Sequence, residues 1–197
     1  MEQQSLFLIF LAAFLVNNII LMRFIGLCPY FGVSTRLDTA IGMGGAVVFV
    51  MVMSSFITWF IYHYILSPLH IEFLRTSSFI LVIASFVQFV EMVLKRYVRT
   101  LYSSLGIYLP LITTNCAILA VAFLNIDYEH SIVQAIVYSI GVSFGFTLAI
   151  VLLAGIRERL DLAPVPESLK GFPISFVAAS LVSLAFLGFS GLLGLSL

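Results

Sequence analysis

Cys28 and Cys116 are the only thiols in this chain of 197 residues, and each stands where an apolar run is interrupted. Cys28 lies in "GLCPYFG", beside Pro29 and between Gly26 and Gly32, and Cys116 lies in "LGIYLPLITTNCA", beyond Pro110. Two such thiols could pack as small hydrophobes. They could join in a disulfide, although the middle of a membrane is an unusual setting for one. They could also bind metal, since thiolates select zinc, copper(I) or iron–sulfur centres. Glycines at 26 and 32 would let backbone N–H groups approach sulfur and stabilise its charge. No carboxylate is close in sequence to either thiol, which suits an anionic cluster. A [2Fe–2S] centre needs four cysteine ligands, so two are half a site and another chain would have to supply the rest.

The elements that position these residues are membrane helices. A chain that is 62% hydrophobic and 9% charged, with mean hydropathy +1.18, is not a soluble globular domain. Charge-free runs cover Leu6–Met22, Thr39–Tyr62, Thr76–Val90, Thr100–Ile126, Ser131–Ile156 and Gly171–Leu197. Crossing about 30 Å of hydrocarbon takes roughly 20 apolar residues, and the short third run extends past Glu91 to Leu94. Six transmembrane helices are therefore expected in a single all-α membrane domain, residues 1–197. "MEQQSLFLIF" lacks the basic segment and cleavage site of a signal peptide, so the first run is expected to stay as a helix.

Orientation follows from charge. With both termini on one side, the opposite loops contain Arg23, Arg36, Lys95, Arg96, Arg99, Arg157, Arg159 and Lys170, against Arg75 alone. Eight against one predicts termini outside and the loops 23–38, 95–104 and 157–170 in the cytoplasm.

The six helices divide into halves of about 5–94 and 105–195, joined by "KRYVRTLYSS". Three spans per half invert the second half relative to the first, the parity of an inverted repeat. The first helix of each half is the interrupted one, at Asn17–Asn18 with Gly26 and Pro29, and at Gly106, Pro110 and Thr113–Asn115. Backbone freed by such breaks must be buried in protein or line a site. Cys116 lies eleven residues past Leu105, about 16 Å into the bilayer and near its middle. Cys28 follows a 22-residue apolar stretch and would reach the cytoplasmic boundary on a straight helix, and a break at Asn17–Asn18 could keep it deeper.

Asn17, Asn18 and Asn115 are expected to bond freed backbone or a neighbouring helix. His63, His70 and His130 fall near the outer loops, far in sequence from the cysteines, and read as surface residues. All nine acidic residues lie at span ends or in loops, which excludes the buried carboxylates of a proton relay. Nucleotide loops, hydrolase elbows and CxxC pairs are absent. From the residues alone, an inverted-repeat transporter and a purely structural membrane scaffold remain open beside the metal reading.

The stretches "VNNIILMRFIGLCPYFGVSTRLDTAIGMG", "LGIYLPLITTNCAILAVAFLN" and "SFGFTLAIVLLAGIRERL" resemble the Rnf–Nqr family of membrane subunits. The asparagine pair and the proline after Cys28 favour its RnfA (RsxA) branch over NqrE. That resemblance implies a component of the bacterial inner (cytoplasmic) membrane that pairs with an RnfE-like homologue of opposite topology. Cys28 and Cys116 would give two ligands to a [2Fe–2S] cluster shared between the two, with Gly26, Asn18, Thr114 and Asn115 near enough to tune it. RnfB, RnfC, RnfD and RnfG-like subunits would complete an ion-translocating ferredoxin:NAD oxidoreductase, carrying flavins and binding NAD, coupled to sodium or proton movement.

Overall fold

The computed structural model describes residues 5–69, 72–97, 111–112, 114–166 and 168–189. Among them are seven principal helices: α1 Leu6–Leu11, α2 Leu27–Val33, α3 Leu37–Ile61, α4 Arg75–Tyr97, α5 Cys116–Asp127, α6 Ile132–Asp161 and α7 Phe172–Leu187. The last turn of α1 widens into a π-turn, Ala12–Val16, and α3 runs on through Tyr62–Leu66 in the same way.

Three helical segments are long and apolar enough to cross a membrane: Leu37–Leu66, Arg75–Met92 and Ile132–Asp161. The other three expected spans are shorter apolar helices, Leu6–Val16, Cys116–Asp127 and Phe172–Leu187. The apolar run at 6–22 is broken at Asn17, where its helix stops part-way, and the described helix of the run at 100–126 begins only after the Asn115 cap. The interruptions at Gly106, Pro110 and Thr113 lie outside the described residues.

Helix α6 is the spine. Its first turn is closed by a capping box, in which Ser131 Oγ accepts from the Gln134 N–H and Gln134 Oε1 accepts from the Ser131 N–H. Its 30 residues extend about 45 Å, so both ends project past a 30 Å hydrocarbon core. Helix α3 lies antiparallel along it. The Trp59 Nε1–H donates to His130 O at one end, Gly44 packs on Thr147 near the middle, and Glu158 Oε1 accepts from the Leu37 N–H at the other.

Helix α1 crosses the other flank of α6 at backbone distance. A Cβ on Gly141 would lie 2.9 Å from Phe10 O, and one on Gly145 would lie 2.8 Å from Phe14 O. These two glycines are four apart on one helix face, the small-xxx-small spacing that lets membrane helices approach closely.

The ends of the bundle correct one expectation. The charge pattern puts Arg23 on the same side as Arg157, yet its Nη2 donates to Tyr128 Oη at 2.7 Å, near the Arg75–Asp127 ion pair of 2.9 Å. Arg157 lies at the opposite end of α6, where it reaches Phe31 and Ser34. Moving Arg23 changes the count of basic residues from eight against one to seven against two, so its sign is unchanged.

Gly145→Ala should lower the stability of the purified protein by about 1–3 kcal/mol, the usual cost of overpacking. Gly155→Ala, on the same helix with nothing within 4 Å of the new methyl, should be neutral or slightly stabilising. Thermal unfolding of both variants in detergent tests the pair.

Candidate cofactor site at the helix breaks

The first break begins at Asn17, after the π-turn, and lasts to Gly26. Around the buried residues Asn18–Leu21 the N–H and C=O groups released here lie in the core, and leaving one unpaired costs about 1–3 kcal/mol. Asn18, fully buried, does most of the repair. Its Oδ1 accepts from the N–H groups of Ile20 (3.1 Å) and Leu21 (3.3 Å), and its Nδ2 donates to Gly145 O at 2.8 Å. The Ser183 hydroxyl, from α7, donates to Leu21 O. Turn-like bonds run from Met22 N to Asn18 O, from Phe24 N to Ile20 O and from Ile25 N to Ile19 O. Asn18 therefore has the structural role expected of it, and its reach to α6 depends on the absent side chain at Gly145.

The loop closes where it opened. Asn18 is tied to Gly145, and a Cβ on Gly26 would lie 3.2 Å from Phe146 Cε2. Nine residues thus make no net progress along α6, and Arg23 at the apex reaches back to Tyr128. The return needs left-handed backbone at Phe24 (φ 55°) and Gly26 (φ 87°). Glycine adopts this without strain, whereas other residues do so at a cost.

Gly26 is also where the two cysteine segments meet. A Cβ here would lie 3.0 Å from Ala117 Cβ and 3.5 Å from Asn115 Oδ1. Gly32 is looser, with Leu111 Cδ1 3.6 Å from the equivalent point. Gly26 caps α2, and Cys28 follows in the first turn, where Pro29 lacks only an N–H that the helix would not use. Cys116 opens α5, capped by Asn115, whose Oδ1 accepts from the Ala117 N–H at 3.0 Å. The Cys116 thiol points toward Thr114 O at 3.8 Å. Phe146, against which Gly26 rests, is near the middle of α6, so the meeting point is at mid-bundle.

Both thiols are free and exposed, on the outside of the bundle and not in its core. Thr114 is exposed beside them, while Asn115 and Gly26 are buried. Asn115 Nδ2 is buried without a hydrogen-bond partner, an orphan donor on the residue next to Cys116. Among the described residues there is no group of three or more His, Cys, Asp or Glu that could hold a metal. The donor set fits one half of a tetrathiolate site: two soft ligands, no carboxylate, and a spare amide donor.

The two described histidines, His63 and His130, pack on other residues. His63 is exposed and stacks on Trp59, while His70 lies outside the described residues. His130 departs from the expected surface role. It is half-buried between Tyr128 and Tyr138, bonds Asn125 Oδ1 at 3.2 Å, and burial pushes its pKa below the usual histidine range.

A family model described as "Rnf-Nqr subunit, membrane protein" matches residues 6–193. The chain belongs to the Rnf–Nqr family. Among similar proteins, the A-type subunit of the ion-translocating oxidoreductase complex of Syntrophotalea carbinolica is 54% identical over 96% of this chain and 98% of its own length. Its counterpart in the Na(+)-translocating ferredoxin:NAD(+) oxidoreductase complex of Acetobacterium woodii is 52% identical, over 95% of this chain and 98% of its own. A Vibrio vulnificus protein named like the first is 55% identical, over 94% and 96% respectively.

Within this Rnf–Nqr protein, Asn18→Ala should orphan two N–H groups and remove the tie to α6. A loss of about 2–4 kcal/mol is expected, since each buried unpaired group costs about 1–3 kcal/mol and partial relaxation recovers some of it. Asn17→Ala should cost less, because Asn17 Oδ1 has no partner to lose. Unfolding of both variants in detergent, followed by tryptophan fluorescence from Trp59, checks the order.

Proposed function

We propose that this chain is the A-type membrane component of an ion-translocating oxidoreductase complex that passes electrons between ferredoxin and NAD. Cys28 and Cys116 hold half of an intramembrane [2Fe–2S] cluster, and an RnfE-like subunit of opposite topology completes it. The observation that carries this reading is the contact of Gly26 with Asn115 and Ala117, which sets both exposed thiol segments side by side at mid-bundle. The relatives named above supply the chemistry of the complex, including ion translocation.

A [2Fe–2S] centre at that depth supplies one-electron transfer and divides about 30 Å of hydrocarbon into two shorter steps. The chain's own residues prepare for it. Each thiol lies in the first turn of a helix, where backbone N–H groups lack intrahelical partners and favour negative charge. The free Nδ2–H of Asn115 is available to an anionic acceptor. Gly26 keeps the segments close by presenting no side chain, and the apolar faces of α2 and α5 exclude water from behind the sulfurs.

The fold supports an inverted repeat: an interruption followed by a helix with a cysteine in its first turn occurs once in each half. We propose a single membrane domain of six spans with repeats at about 5–94 and 105–195. Its termini face the periplasm and the Arg157 end faces the cytoplasm, in the orientation favoured by seven basic residues against two. Flavins and NAD belong to the RnfB, RnfC, RnfD and RnfG-like subunits.

Two measurements test these statements. Cys28→Ser and Cys116→Ser change volume little but remove a soft ligand. Either should abolish electron transfer by the assembled complex, whereas near-normal turnover would eliminate the ligand assignment. The chain produced alone should bind little iron and acid-labile sulfide, and co-production with its partner should give one cluster per heterodimer with a reduced-state EPR signal. A stoichiometric cluster in the isolated chain defeats the shared site.

For orientation, a cysteine introduced at Glu129 should react with an impermeant reagent from the outside of intact cells. One at Asp161 should react only after the cytoplasmic face is opened. The reverse pattern overturns the topology.

A further inference from the structure

Helix α2, which carries Cys28, is only seven residues long. No side chain caps its start, and a helix so short has little intrinsic stability. What holds it must come from outside, and both ends are held by α6. At the start, Gly26 fits against Phe146. At the finish, Arg157 Nη1 donates to Phe31 O at 2.9 Å and to Ser34 Oγ at 3.0 Å. Ser34 is fully buried, and the acceptor carbonyl belongs to the last turn of α2, where helix carbonyls lack partners and a cation is favoured. The next residue, Glu158, accepts from the Leu37 N–H at 2.9 Å and fixes the start of α3. One turn of α6 therefore clamps the end of one helix and the beginning of the next. Phe146 and Arg157 are eleven residues apart, about 16 Å along the axis.

We infer that Arg157 is a positioning residue for Cys28: it latches α2 onto α6 and so fixes where the first thiolate stands, while its charge favours an added electron nearby. This inference rests on the cluster assignment above. Phe31 is three residues after Cys28, so the latched carbonyl lies less than one helical turn beyond the thiol's residue. Phe31 also stacks on Phe176 of α7 at 4.5 Å and Thr39 Oγ1 donates to Val33 O at 3.2 Å, so the Arg157 bonds are the charged restraint on this end. Arg159, on the same turn of α6, is exposed and matches Arg157 in charge, with no hydrogen bond to α2 among the described residues.

The test uses the assembled complex with Arg157→Gln, Arg157→Lys, Ser34→Ala and, as a charge control, Arg159→Gln. Hydrogen exchange of amides 30–34 reads the latch without reference to any cofactor. It should quicken at least tenfold in Arg157→Gln, by less in Ser34→Ala, and not at all in Arg159→Gln. With the cluster present, Arg157→Gln should split or broaden the reduced-state EPR signal, lower the midpoint potential and cut electron transfer about tenfold at unchanged iron content. The potential falls because removing a nearby cation disfavours the more negative reduced state. Arg157→Lys keeps the charge and should restore the potential. Ser34→Ala leaves charge untouched, so it should broaden the signal without moving the potential, and it decides the matter if Arg157→Gln cannot be isolated.

A single wild-type EPR species at wild-type potential in both Arg157→Gln and Ser34→Ala would overturn the inference, as would equal effects in Arg159→Gln. If the wild-type complex shows no cluster while exchange responds as described, the cluster assignment fails and the latch stands.

Discussion

A helix broken in the middle of an apolar bundle releases amide and carbonyl groups that have no water to bond, and the fold depends on what takes its place. Here that is chiefly one side chain. Asn18 offers an acceptor to two N–H groups of its own loop and a donor to the backbone of α6, so a single buried amide both closes the break and anchors it. An aspartate could accept but not donate, and a leucine could do neither. The bare faces of Gly141 and Gly145 bring α1 close enough for the third of those bonds. Asparagine and glycine are thus two parts of one solution, contributed by residues more than a hundred positions apart in the chain.

The consequence is that α6 works as a measuring rod. Its uninterrupted 30 residues receive the broken segment at Gly145 and Phe146, and receive α2 again at Arg157. The second cysteine segment reaches the same level through Gly26, which touches Asn115 and Ala117. Neither thiol is held by a long helix of its own. Each is on a short helix referred to this common support, and both remain exposed at the surface where another subunit can reach them.

Much of this is legible in residue types alone. Asn17–Asn18 in an apolar run marks the first break, and glycine before Cys28 marks a backbone that must turn sharply. Asn115 before an apolar stretch is an ordinary helix cap. The spacing of Gly141 and Gly145 in "GVSFG" is a signal of close helix approach, one that a search for metal ligands and catalytic motifs does not touch. Other features leave no local trace. Arg23 follows an apolar stretch of span length and so looks like the end of a straight helix. Only the loop's return carries it to Tyr128. Arg157 is 126 residues from Phe31, and nothing in "AGIRERL" distinguishes the arginine that latches α2 from its neighbour that does not. Local pattern reports breaks, caps and spans well. It is silent on contacts made by long cationic side chains, whose reach spans several possible partners.

The closed loop from Asn18 to Gly26 separates two things that a continuous helix would tie together. In an unbroken helix, each residue inserted before Cys28 would move the thiol by about 1.5 Å and rotate it by about 100°. Here both ends of the loop are pinned to adjacent residues of α6. Residues can be gained or lost around Met22 and Arg23 with the depth and facing of Cys28 unchanged. The apex is therefore free to vary with whatever lies at the Tyr128 end of the bundle, while Cys28 stays in register with the second cysteine segment.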